Sequence, residues 1–284
     1  MQPLRPCLLL PALLALASCA TPPPALPVDD PPSPPLITEP VPDTTPRWLP
    51  TGPLQTTPLP GGAAWLHQVS VSRAGRTVDL QFILFDSSRY DLQVIDQPED
   101  WSGGGQITNR MRSVGAVAGV NGGFFSPQFV PLGLMIAAGQ PTGAWQQNKL
   151  LSGAVVVRQQ EPQLLWNAEV HDTNTVRQLL QAGPRLVDAS RPVPSLDRNK
   201  QAARTFIATA GGQRWVLGTA RSTSLGELAE ILTSPDVLPG LRLHRALNLD
   251  GGRSTALYCR SADGQEISQP GWSTVRNYLA ILPR

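Results

Sequence analysis

Two short segments place reactive side chains at the ends of apolar runs. Ala116-Val117-Ala118-Gly119-Val120 leads into Asn121-Gly122-Gly123-Phe124-Phe125, and Ala246-Leu247-Asn248-Leu249 leads into Asp250-Gly251-Gly252-Arg253-Ser254-Thr255. Each reads as a buried strand closing on an Asn or Asp and a glycine pair. Glycine pairs after a strand permit positive φ and leave amide N–H groups uncovered, the geometry of an anion-binding concavity. Asn-Gly and Asp-Gly are also the strongest short hairpin signals, so the spacing alone leaves both readings open. The second segment tilts toward chemistry, because an acid, an arginine and two hydroxyls fall within Asp250 to Thr255.

The elements that must position these residues are mostly strands. Val69 to Val71, Val78 to Phe85, Leu92 to Ile95, Ala154 to Val157, Arg214 to Leu217 and Tyr278 to Leu282 are short β-branched or aromatic runs bounded by Gly, Pro, Asp or Ser. Helical signals are fewer. Ser224-Leu225-Gly226-Glu227 is a capping box ahead of Leu228, Ala229 and Leu232. Thr175 to Ala182 places Val176, Leu179 and Leu180 on one helical face, with Gly183 suited to end it. Thr108 to Val114 is a third helical segment, with Ile107, Met111 and Val114 four and three apart. Helices scattered among strands predict an α+β fold, a single mixed, sheet-rich domain.

The chain has 284 residues, 41% hydrophobic and 15% charged. That composition excludes a fully disordered chain and a coiled coil. A net charge of +2 without a basic cluster argues against nucleic-acid binding. The N-terminus reads as an export signal, with Arg5 followed by an apolar core, Leu8 to Leu16, too short to span a bilayer. Leu16-Ala17-Ser18-Cys19 resembles a bacterial lipobox, in which the cysteine receives diacylglycerol and becomes the mature N-terminus. Ala20 in place of Asp implies, by the same resemblance, an outer-membrane destination facing the periplasm. Cleavage before Cys19 would remove Cys7 and leave Cys259 without a disulfide partner. Half of the 30 prolines lie between Ala20 and Pro60, a stretch suited to a polyproline II tether. At roughly 3 Å per residue it could extend on the order of 100 Å. The expected organisation is therefore a signal peptide at 1–18, a lipidated Cys19 with its tether at 19–60, and one domain at 61–284.

Asn121-Gly122-Gly123-Phe124-Phe125, Pro131-Leu132-Gly133-Leu134, Gly183-Pro184-Arg185-Leu186-Val187, Arg204-Thr205, Leu225 to Leu232, Asn248-Leu249-Asp250-Gly251-Gly252 and Arg276-Asn277 occur in the order seen in the phosphodiester glycosidase family. The resemblance extends from about Trp65 to Leu282. The segment Arg253-Ser254-Thr255 departs from it, which bears on sugar specificity more than on fold. The resemblance implies hydrolysis of a sugar-1-phosphodiester at the anomeric carbon–oxygen bond, on a cell-envelope or exopolysaccharide glycan. Phosphate is a good leaving group, so such a site needs anion recognition and stabilisation of an oxocarbenium-like transition state more than a strong general acid.

On that resemblance Asp250 is the candidate carboxylate at the anomeric carbon, its other role being to cap the glycine turn. Asn121 would bond a sugar hydroxyl or orient Asp250. Arg204 and Arg276 are candidates for a phosphate clamp or for structural ion pairs. Gly122, Gly123, Phe125, Thr205, Gly251, Gly252, Ser254 and Asn277 complete the expected substrate-binding set. Asp188 and Asp197 could supply a second acid, but no pattern assigns them that role. Glu227 and Glu230 belong to the helix. His67, His171 and His244 show no metal-ligand spacing, and no cofactor is specified; a calcium or magnesium ion on Asp250 and backbone carbonyls stays open. Trp65, Trp101, Trp145 and Trp272 could stack on a sugar ring or fill the core, and Cys259 reads as buried and inert. Two other readings remain: a non-catalytic lipoprotein binding an anionic glycan, and a metal-dependent phosphodiesterase cleaving the phosphorus–oxygen bond.

Overall fold

The structure is a computed structural model that describes residues 47–97, 107–238 and 240–284. The signal segment, Cys19, most of the tether and Trp101 lie outside the described residues. In chain order the first strands are β1 (Leu49–Pro50), β2 (Gln55–Pro58), β3 (Ala64–Arg73), β4 (Arg76–Asp86) and β5 (Tyr90–Asp96). Helix α1 (Ile107–Val114) precedes β6 (Ala118–Asn121), β7 (Met135–Ala137), β8 (Gln140–Thr142), β9 (Gly153–Arg158) and β10 (Glu161–Trp166). Then come β11 (Gln178–Ala182), β12 (Arg185–Asp188), β13 (Arg191–Pro192) and the long hairpin of β14 (Ala202–Gly211) and β15 (Arg214–Thr223). Helix α2 (Leu225–Thr233), β16 (Arg245–Asn248), β17 (Leu257–Arg260), β18 (Glu266–Gln269) and β19 (Asn277–Pro283) complete the described chain. The fold is thus mostly β, with two α-helices among the described residues.

Among the described residues every strand pairing is antiparallel. The largest sheet has nine strands in the order β1-β3-β4-β15-β14-β16-β12-β13, with β2 also on β3. A second runs β10-β9-β11-β7-β8 and a third β18-β17-β6-β19-β5. All three contribute to one apolar core: Leu66, Ile83, Ile207, Leu217 and Leu247 from the first, Val155, Trp166 and Leu180 from the second, and Val94, Val120, Leu257 and Leu279 from the third. Each helix covers an outer face. Leu228, Ala229, Ile231 and Leu232 of α2 pack with Val69, Val78, Phe82 and Phe206, while Ile107 and Met111 of α1 pack with Tyr258, Tyr278 and Ala280. The capping box at α2 forms: Ser224 Oγ accepts from Glu227 N at 3.2 Å, and Glu227 Oε2 accepts from Ser224 N at 2.9 Å.

Two expectations are corrected. Residues 175–182 do not form a helix; Gln178–Ala182 is strand β11, paired with β9 and β7. Leu180 enters the central core while Leu179 joins Ile136, Ala154 and Val156 on the opposite face. A strand buried on both faces reads as a continuous apolar run, and here that run coincides with helical spacing. Gly183 ends no helix: a β-carbon there would lie 2.1 Å from the Leu150 carbonyl oxygen, so glycine is needed for close backbone approach.

The folded part also begins before residue 61. The compact unit covers Thr45–Arg284, β1 and β2 pair with β3, and Trp48 and Leu59 are each only 1% exposed. Proline content extended the apparent tether too far, because Pro50 and Pro58 are accommodated in short peripheral strands, where a missing donor is tolerated.

Candidate functional site

The apolar strand β6 is buried on both faces and lies between β17 and β19. At its end Asn121 is fully buried. Asn121 Nδ2 donates to the Asp250 carbonyl at 2.7 Å, and its Oδ1 accepts from Thr205 Oγ1 at 2.7 Å and from Ala256 N at 3.0 Å. Asp250 N donates to the Gly122 carbonyl at 2.9 Å, and Leu249 N to the Thr205 carbonyl at 2.8 Å. One buried amide thereby ties together three chain segments and fixes the Asp250 backbone.

The two glycine pairs, alike in sequence, differ in structure. The first is closed: Gly122 N donates to the Asn277 carbonyl at 2.9 Å and Gly123 N to Asn277 Oδ1 at 2.7 Å. A β-carbon on Gly122 would stand 2.0 Å from that Oδ1, so the clasp on Asn277 requires glycine. The expectation of uncovered amides is not met there. The second pair is open. Gly251 N bonds its neighbour Asp250 Oδ1 at 2.9 Å, and Gly252, at φ +63°, begins a single 3-10 turn, Gly252–Ser254. Ser254 N and Thr255 N are taken by the Gly251 and Gly252 carbonyls, whereas the amides of Gly252 and Arg253 make no internal bond among the described residues. Gly251 cannot carry a side chain, since a β-carbon would lie 2.8 Å from the Ala203 carbonyl oxygen.

The Asp250 carboxyl is partly buried. Burial raises its pKa above the usual aspartate value, opposed by the nearby Ser254 hydroxyl and by the Gly251 amide. Ser254 in turn lies 3.5 Å, Oγ to Oγ, from Ser273, a neighbour that no sequence signal marked. Asn277 is fully buried and its Nδ2 has no hydrogen-bond partner among the described residues. Phe125 stacks edge-on against Phe129 at 5.2 Å.

The arginines fall into three environments. Arg276 is 6% exposed and forms an ion pair with Asp96 at 3.1 Å while also donating to the Gln97 carbonyl. Arg204, 8% exposed, donates from Nε to the Thr223 carbonyl at 3.0 Å and from Nη2 to the Lys200 carbonyl at 2.6 Å. Burial lowers its pKa, partly offset by Asp197. Arg253 is exposed, beside the open amides. Asp188 bonds Trp166 Nε1 at 2.9 Å, and Glu230 pairs with Arg73 and Arg198. Cys259 is buried, its thiol pushed up to about 12 by that burial. No three His, Cys, Asp or Glu side chains cluster among the described residues. A divalent cation here would have Asp250 as its carboxylate ligand, with the nearby Gly122 and Asp250 carbonyls already accepting hydrogen bonds.

Comparisons with known proteins bear on this arrangement. A family model described as phosphodiester glycosidase matches residues 114–282, a span that holds both glycine-pair segments, Arg204 and Arg276. The comparison with curated proteins returned no match. Among solved structures, the catalytic domain of zebrafish N-acetylglucosamine-1-phosphodiester alpha-N-acetylglucosaminidase, auto-inhibited by its pro-peptide, is similar at a TM-score of 0.56 and 16% identity. The match covers 82% of this chain and 88% of that one. A hypothetical protein from Synechocystis is similar at a TM-score of 0.54 and 17% identity, over 82% of this chain and 64% of that one. At these identities the structural likenesses bear on the fold alone.

Proposed function

Since this chain belongs to the phosphodiester glycosidase family, we propose that the Asp250 site hydrolyses a sugar-1-phosphodiester of a cell-envelope or exopolysaccharide glycan at the bond between the anomeric carbon and oxygen. The observation carrying this reading is the pairing of a partly buried, rigidly held carboxylate with open backbone amides and an exposed arginine on the same short turn. As the bond from carbon to oxygen breaks, its electron pair leaves with the phosphate oxygen. Asp250 stabilises the positive charge growing at the anomeric carbon, while the Gly252 and Arg253 amides and the Arg253 guanidinium receive the departing phosphate. A water oxygen completes the carbon and releases a proton, giving free sugar and a phosphomonoester. Arg276, already paired with Asp96, supports the β19 end that presents Asn277.

The test is to incubate the purified chain with sugar-1-phosphodiesters in oxygen-18 water and identify the products by mass spectrometry. Label in the free sugar, with unlabelled phosphomonoester, is the expected result. Label in a sugar-1-phosphate would assign the chain to phosphorus–oxygen cleavage. Binding without any product would leave a glycan-binding protein.

The active form of Asp250 in this scheme is the carboxylate, so activity should rise with pH through a pKa above the ordinary aspartate value. Ser254→Ala removes a hydroxyl whose proximity lowers this pKa. Its acid limb is therefore expected to move to higher pH, measured as kcat/KM across pH 3 to 8, roughly the range in which shifted carboxylates titrate. An unmoved limb would separate Ser254 from the titrating group.

We also propose a lipid anchor at Cys19 and an outer-membrane location facing the periplasm, supported by Leu16-Ala17-Ser18-Cys19 and Ala20. Cys19→Ala should release the protein from the membrane pellet or block its processing. Equal recovery of mature protein in the pellet would overturn the anchor.

A further inference from the structure

The inner face of the nine-stranded sheet changes character along its strands. Leu66, Ile83, Leu217, Ile207 and Leu247 lie opposite one another on β3, β4, β15, β14 and β16 and belong to the central core. Residues two apart on a strand share a face. Two positions along from the apolar row, the same face presents Gln68, Gln81, Thr219 and Thr205, again mutually opposite, and Gln55 on β2 extends this row beyond Gln68. Its inner end is the Thr205 hydroxyl that bonds Asn121.

The outer part of the row forms the floor of a cleft of about 390 Å³, lined by Gln55, Gln68, Gln81, Thr219, Arg221 and, from β18 of the third sheet, Gln269. That volume falls within the usual size of ligand sites. The four glutamine amides make no hydrogen bond to other described residues, whereas nearby Asp79 is engaged by Ser70 at 2.6 Å. Polar side chains breaking an apolar alternation at the same level on adjacent strands leave donors and acceptors together, facing the cleft. Amides offer both functions and no charge, which suits sugar hydroxyls better than an anion. A few residues beyond Gln269, Trp272 is 85% exposed, and its backbone N donates to the Arg253 carbonyl at 2.7 Å. The backbone of Trp272 is thus tied to the turn that carries Asp250, on the segment that leaves the cleft.

We infer that this amide-lined cleft and Trp272 form a subsite for further neutral sugar units, so that the ligand is an oligosaccharide or polymer chain extending from the Asp250 site. The inference rests on the reading of that site as one acting on a sugar. It adds that recognition extends over β15, β4 and β3 toward β2, the strands that line the cleft.

Calorimetric titration of the full chain with N-acetylglucosamine and with glucose oligosaccharides of one to four units tests it without requiring turnover. In at least one series, affinity is expected to rise by about tenfold or more with length. The rise should disappear in the Gln68→Ala/Gln81→Ala variant and shrink in Trp272→Ala, whose site is too exposed for the change to threaten folding. Affinity independent of length, no binding in either series, or a length dependence unchanged in both variants overturns the subsite. Length-dependent binding with no hydrolysis of any phosphodiester would preserve the subsite and remove the hydrolytic reading. Hydrolysis with length-independent binding would do the reverse.

Discussion

Turnover by the Asp250→Asn variant is expected to fall by about 10³-fold or more, the scale on which a transition-state electrostatic partner acts, with ligand binding largely retained. Asparagine keeps the shape of the side chain and an oxygen to accept from Gly251 N, the bond that holds Asp250 Oδ1 at 2.9 Å. The Asp250 backbone remains fixed by Asn121 and Gly122, because those bonds involve its main-chain atoms. What disappears is the negative charge. Burial magnifies its value, since a partly desolvated carboxylate interacts with a developing oxocarbenium through less screening than water would provide. The same burial makes the neutral variant easy to accommodate, so the fold should be unperturbed. Single-turnover hydrolysis and substrate-binding titration, run on a variant with unchanged circular dichroism, separate the two effects. Normal turnover by the folded variant would remove Asp250 from the chemistry and leave it as the cap of the Asp-Gly-Gly turn.

The parts of the site legible in the sequence are those set by local chain chemistry. A capping box acts over four residues, so Ser224 and Glu227 announce α2. Glycine after an apolar strand marks both site segments because close backbone approach tolerates no side chain at Gly122 or Gly251. What the sequence conceals depends on partners distant in the chain. Asn121-Gly122-Gly123 and Asp250-Gly251-Gly252 look alike, yet the first is closed by Asn277, 154 residues from Gly123, and the second stays open. Arg276 reads first as a phosphate clamp, and its contact with Asp96, 180 residues earlier, is invisible in the sequence. Strand β11 imitates a helix because both of its faces are covered, a fact belonging to the stacking of sheets. The polar row from Gln55 to Thr205 is visible only once five strands are in register, since each strand contributes a single residue and only Thr205 stands in a recognisable motif.

Asn121→Asp tests the buried junction independently of any substrate. The substitution is nearly isosteric, but it replaces the Nδ2 donor with an oxygen facing the Asp250 carbonyl, formerly bonded at 2.7 Å. At this fully buried position an ionised carboxyl loses hydration and opposes a carbonyl dipole; the Thr205 hydroxyl and Ala256 amide, which already bond the other oxygen, offset only part of that cost. Destabilisation of about 3–5 kcal/mol is expected at neutral pH, the range for an uncompensated buried charge, read as a lower urea midpoint with an unchanged slope. The pH dependence supplies the diagnostic. Burial raises the folded-state pKa of the new carboxyl above its unfolded value, so the folded state retains the proton to higher pH than the unfolded state. The stability deficit should be smallest below the unfolded pKa, about 4, where the protonated group can again donate to the Asp250 carbonyl. It should grow as pH rises toward the folded pKa and level off above it. Thr205→Val removes only a donor to Asn121 and is expected to cost about 1–2 kcal/mol, with no comparable acid rescue. A deficit for Asn121→Asp that is small at neutral pH, or constant between pH 3 and pH 8, would mean that Asn121 is not the buried tie joining Thr205, Asp250 and Ala256.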